Sequence, residues 1–105
     1  RRARIVSEPV TDYIRFEYAV TAGHNVAAGE LVRWLPRHRA ADLLVPAADF
    51  WAFDQSVVVF NHFDGNGDWV REDRRDDPDL ARALAAAFEA VWDRGTPHAD
   101  YRVIP

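Results

Sequence analysis

The chain has 105 residues, 49% hydrophobic and 12% aromatic, with four tryptophans and neither cysteine nor methionine. A chain of this size buries enough apolar surface to fold as one domain without staples, and the lack of cysteine excludes disulfides, thiolate metal sites and a cysteine nucleophile. Seventeen acidic residues against thirteen arginines give a formal charge of −4, which speaks against non-specific binding to nucleic acid or anionic membranes, because both depend on clustered positive charge.

There is no lysine, and we read the arginine and alanine bias as the imprint of GC-rich coding. No apolar run approaches the length of a membrane span and no secretory signal leads the chain, so a cytoplasmic protein is expected. The opening Arg1-Arg2-Ala3, without an initiating methionine, is expected to belong to the C-terminal part of a longer protein.

Ala3 to Val6 reads as a strand running into a helix, with Ser7 or Glu8 capping it and Pro9 in its first turn, where no N–H donor is needed. Val10, Tyr13, Ile14, Phe16 and Val20 recur at helical spacing as far as Thr21, and Gly23 is the expected stop. Asn25 to Gly29 is expected to be a helical turn closed by Gly29. Glu30 to Leu35 reads as a strand ended by Pro36, and Arg37 to Leu44 as a short helix.

The stretch Asp49 to Val70 is the organising element. Phe50, Trp51 and Phe53 lead to a turn at Asp54-Gln55-Ser56, Val57 to Phe63 return, and Asp64-Gly65-Asn66-Gly67-Asp68 turns the chain again before Trp69-Val70. The charged run Arg71 to Asp79 is expected to be a solvated loop. Asp77, Pro78 and Asp79 then open a helix whose Leu80, Leu84, Phe88, Val91 and Trp92 share a face. Gly95 is expected to close that helix in a left-handed conformation, with Pro97 preventing continuation. Tyr101 is expected to return to the globule, and Val103-Ile104 to form an edge segment.

The turn at Asp64 places oxygens at alternate positions, as a calcium loop does. It has Trp69 where an EF-hand needs glycine and Arg75 where it needs a bidentate glutamate, so a hairpin turn is the better reading. The histidines at 24, 38, 62 and 98 form none of the usual metal spacings, and no metal or cofactor is expected. His62 with Asp64 is the main candidate for acid–base chemistry, since a carboxylate can fix an imidazole tautomer; His98 with Asp100 is a second such pair. Alternation places Asn61 and Phe63 on one face of the strand, with Phe60 and His62 on the other. Arg33, Arg37 and Arg39 around Trp34 and His38 form a candidate cationic patch, so Trp34, Arg33, Arg37, Asn61 and His62 are the candidate ligand-binding residues. No phosphate loop and no nucleophile elbow is present.

Three blocks, VSEPVTDYIRFEYAVTAGHNVAAGELVRWLPR, DFWAFDQSVVVFNHFDGNGDW and AAAFEAVWDRGTPHADY, resemble an uncharacterised actinobacterial family, domain of unknown function 6879, over nearly the whole chain. That resemblance implies an additional N-terminal region and a gene neighbourhood containing helix-turn-helix regulators. More distantly, the strand, Asp-led turn, strand and closing helix with Phe88 and Trp92 are similar to phospholipase-D-like domains, whose motif is HxKxxxxD. With Asp54 on the motif aspartate, Ala47 stands at the nucleophile and Asp49 at the lysine, which implies a fold without its catalytic apparatus.

The expected architecture is therefore a single α/β domain, with α+β as the alternative. A mixed sheet is built around the Asp49–Val70 meander and flanked by an N-terminal and a C-terminal helix. The expected function is a non-catalytic regulatory or protein-interaction module, partnered by a helix-turn-helix regulator and open to a small ligand or a homodimer. The alternatives are a hydrolase or phosphodiesterase-like enzyme using His62 and Asp64, and a weak DNA-binding accessory domain.

Overall fold

Strand pairing divides the six strands of the described residues between two three-stranded sheets. The computed structural model describes residues 1–104. In chain order the elements are β1 (Arg2–Val6), α1 (Asp12–Thr21), β2 (Val32–Pro36), β3 (Asp49–Phe53), β4 (Val57–Phe63), β5 (Trp69–Asp76), α2 (Pro78–Arg94) and β6 (Thr96–Pro97). Apart from the parallel pair β1 and β2, the strand pairs are antiparallel, and the fold is α+β. The chain divides into two compact units, residues 1–43 with 90–104, and residues 44–89, so that the boundary falls within α2.

The first unit holds the mixed sheet. β1 and β2 run parallel, with Arg4 opposite Trp34, and β6 joins β2 antiparallel, with Thr96 opposite Trp34. The mixed sheet is thus distinct from the meander that was expected to form its centre. Trp34, fully buried, packs with Val6, Val10, Val32 and Tyr101, and α1 adds Ile14 and Tyr18. Tyr101 stacks on Trp34 with centroids 5.3 Å apart and planes 7° apart, so the tail does return to the core through this residue. Leu35, Ala40 and Val91 form a second cluster in this unit.

Several ends differ from the sequence reading. The N-cap of α1 is Thr11, whose hydroxyl accepts a hydrogen bond from the Ile14 amide at 3.2 Å. Ser7, Glu8 and Pro9 precede the helix, because Thr11 supplies the same capping oxygen one turn later. Gly23 does not end α1. The chain continues as a wider π turn over Ala22–Val26 and stops at Gly29, whose φ of 94° only glycine adopts without strain. The segment after β2 is a single 3-10 turn, Arg37–Ala40. The edge strand of the tail is Thr96–Pro97, and Val103-Ile104 pairs with nothing in either sheet.

The second unit is the meander β3-β4-β5, antiparallel throughout. Asp54 and Gln55 turn β3 into β4 with consecutive positive φ values of 51° and 56°, the left-handed pair that primed hairpin turns require. Asp64 organises the next turn: its Oδ1 accepts from the Asn66 and Asp68 amides at 2.9 and 3.1 Å, and Gly67 sits at φ 85°. Arg71 to Asp76, expected as loop, is the body of β5. A strand forms there because β4 supplies the backbone partners, while opposite charges two apart share a face and pair: Arg75 with Asp73, and Arg74 with Asp76. Such a charged strand suits a sheet edge, where it deters pairing with other chains.

One face of this sheet carries Phe50, Val58 and Phe60 against Leu80, Ala81 and Leu84 of α2. Asp77 caps that helix, its carboxylate accepting from the Leu80 amide at 3.1 Å. At the other end, Gly95 is not left-handed; the positive-φ glycines are Gly29 and Gly67. A Cβ on Gly95 would lie 2.9 Å from Cβ of Arg33, so the position calls for glycine by close approach to β2.

Candidate functional site

The face of the meander turned away from α2 is the candidate site. Cross-strand rows on it read Asp49–Asn61–Glu72, Trp51–Val59–Arg74 and Phe53–Val57–Asp76, and Phe63 lies opposite Trp69 at the end. Trp51, Phe53, Phe63 and Trp69 are 43%, 50%, 51% and 56% exposed. A strand sequence of alternating apolar residues would normally bury one face and wet the other with polar groups. Here the wet face carries aromatics.

The β4–β5 register slips at His62 and Phe63, where β5 carries Val70 as an extra, unpaired residue. Beside this slip lies a depression of about 370 Å³ lined by Ala47, Ala48, Asp49, Asn61, His62 and Phe63. Asn61 and His62, both expected site residues, line it from adjacent positions of β4. Asn61 Oδ1 accepts a hydrogen bond from Trp69 Nε1 at 3.3 Å. Asp49 is exposed and makes no ion pair or side-chain hydrogen bond among the described residues.

His62 and Asp64 do not form the pair expected of them. The Asp64 carboxylate is occupied by its own turn, and the carboxylate near His62 is that of Asp73, with Nε2 3.6 Å from Oδ2. That Nε2 is buried and has no hydrogen-bond partner. Asp73 itself is gripped by Arg75 at 2.8 and 3.0 Å; this bond, with a smaller contribution from His62, holds its carboxyl below the usual range. Asp73 was not among the sequence candidates, since only the β4–β5 register brings it to His62. Asp49 and Phe63, which also line the depression, were not among the sequence candidates.

The remaining candidates lie in the first unit and serve its packing. Trp34 is fully buried and donates from Nε1 to Nδ1 of His98 at 3.0 Å. Burial, with Arg4 and Arg102 nearby, lowers the His98 imidazole below its ordinary value. Arg33 lies over the Trp92 ring, 4.4 Å from its centroid, and donates to the Trp92 carbonyl at 2.8 Å. Arg37 donates to Ser7 Oγ and to the Ile5 carbonyl, each at 3.2 Å. His24 and His38 are exposed. Among the described residues no cluster of three or more metal-ligating side chains occurs, and no helix is long and apolar enough to cross a membrane.

Neither the curated proteins nor the solved structures contain a match to this chain. A family model described as a domain of unknown function (DUF6879) matches residues 1–103, and the chain belongs to that family.

Proposed function

We propose that this chain is a non-catalytic protein-interaction module with a regulatory role, and that its partner docks on the open face of the meander. The observation that carries the reading is the set of exposed aromatic side chains on that face, Phe53, Phe63 and Trp69 above all. Aromatic side chains held half in water on a rigid sheet are typical of recognition surfaces, because they contribute contact area with little rotamer entropy to lose. A helix-turn-helix regulator is the partner that the family resemblance suggests.

The hydrolase reading has less support. Asp64 is committed to its turn and Asp73 to Arg75, so His62 has no carboxylate dedicated to it. On the phospholipase-D-like alignment, the residues standing at the nucleophile and lysine are Ala47 and Asp49, and both line the depression. DNA binding is disfavoured because Arg33 and Arg37 are engaged internally.

The test is site-specific photo-crosslinking in native cells, with a benzophenone amino acid at position 53 and, as control, at the exposed Arg15. A protein captured from position 53 and not from position 15 should bind the purified chain. Trp69→Ala should weaken that binding by tenfold or more, as expected of a hot-spot aromatic. Equal capture from both positions, or binding indifferent to Trp69→Ala, would refute the proposal.

A further inference from the structure

We infer that the docking partner presents an arginine-bearing cationic segment, and that one guanidinium is anchored in the depression formed by Asp49, Asn61, His62 and Phe63. This inference rests on the interaction reading above and adds the chemistry of the partner. Charge is the first observation. Residues 44–89 carry ten of the seventeen acidic side chains and four of the thirteen arginines, a formal charge of −6, against +2 for the rest of the chain. Three of those four arginines, Arg74, Arg75 and Arg82, are already paired with Asp76, Asp73 and Asp79. The unit is therefore net acidic, with Asp49, Glu72 and Asp76 against Arg74 on the aromatic face, and it attracts a cationic partner while repelling an acidic one.

The second observation is local. Asp49 is an exposed carboxylate with no partner of its own among the described residues, directly across the strand from Asn61 and on the wall of the depression. The half-exposed Phe63 ring shares that wall. A carboxylate next to an aromatic ring matches a guanidinium better than any other common side chain. The planar cation forks onto the carboxylate oxygens and stacks on the ring, and it is less strongly hydrated than an ammonium. The Trp69 indole bonded to Asn61 Oδ1 fixes the amide beside this carboxylate. A lysine would keep the charge attraction and lose both the fork and the stack.

The experiment titrates the isotopically labelled chain with acetyl-(Arg-Val)3-amide and with its lysine and norleucine analogues, followed by NMR. The arginine peptide should move the amide signals of Asp49, Asn61, His62 and Phe63, and the lysine peptide should bind several-fold more weakly. Asp49→Asn should weaken the arginine peptide by about tenfold, the loss expected of one charge-assisted hydrogen bond. Unmoved amide signals of the buried Val58 and Leu84 certify that the meander of the variant is folded.

If the norleucine peptide binds this face as tightly as the arginine peptide, or Asp49→Asn changes nothing, the guanidinium anchor is wrong while the interaction reading stands. If no peptide moves any signal of the open face, both fall. Reversible self-association that shifts the same signals would give the face to a second copy and overturn the cationic partner.

Discussion

Replacing Gly95 separates two accounts of why α2 ends where it does. A left-handed cap would tolerate asparagine about as well as any non-glycine residue, because asparagine adopts positive φ more readily than alanine. The structure gives a different requirement. Gly95 donates its amide to the Val91 and Trp92 carbonyls at 3.0 and 3.1 Å without a positive φ, and a Cβ there would meet Arg33 Cβ at 2.9 Å and the Trp92 carbonyl at 3.4 Å. Alanine at a conformationally compatible site stabilises by about 0.4–1 kcal/mol through the unfolded chain. Crowding a packed contact costs about 1–3 kcal/mol. The obstacle is the root of the Arg33 side chain on β2, which cannot swing aside, so the steric cost should win and Gly95→Ala should destabilise by about 1 kcal/mol. Asparagine is larger and should cost more. Urea denaturation monitored by tryptophan fluorescence would order the variants glycine, alanine, asparagine. Asparagine equal to or better than alanine, or alanine more stable than glycine, would refute the close-approach argument. Gly65, with nothing within 4 Å of a built Cβ, is the control, and Gly65→Ala should be neutral or slightly stabilising.

Leu84→Ala, at a buried position packed with Val58 and Ala81, should cost about 2–5 kcal/mol in the same assay; a loss under 1 kcal/mol would show that α2 is not the core of the meander unit. Stability should also fall on acidification below the ordinary imidazole value of 6.5. The folded His98 titrates lower than that, so between the two values the unfolded chain holds the extra proton, and the stability that neutral His98 contributes through the bond its Nδ1 accepts from Trp34 is fully present only above this window. A His98→Asn variant should show a shallower fall between pH 6.5 and lower values, and an unchanged pH profile would remove His98 from the account.

The parts of the fold legible in the sequence are those with a local cause. Asp77-Pro78-Asp79 capped α2 as expected, and the two turns of the meander follow from Asp, Asn and Gly tolerating the backbone they need. β5 was not legible because its strand character comes from β4 and from ion pairs two residues apart, while its composition is that of a solvated loop. The N-cap of α1 went to Thr11 because Ser7, Glu8 and Thr11 offer the same capping oxygen, and only tertiary packing chooses among them. Asn61 and His62 were found from sequence as residues of one strand. Asp49 and Asp73 were not, because the register that sets Asp49 opposite Asn61, and Asp73 opposite Phe60 and diagonal to His62, leaves no linear spacing to read.

The four tryptophan indoles test the central claim most directly. Trp51 and Trp69 are exposed on the meander, while Trp34 and Trp92 are buried in the first unit. On addition of the partner identified by crosslinking, the indole N–H signals of Trp51 and Trp69 should shift and those of Trp34 and Trp92 should stay in place. Movement of the Trp34 and Trp92 signals with Trp51 and Trp69 unchanged would contradict the account.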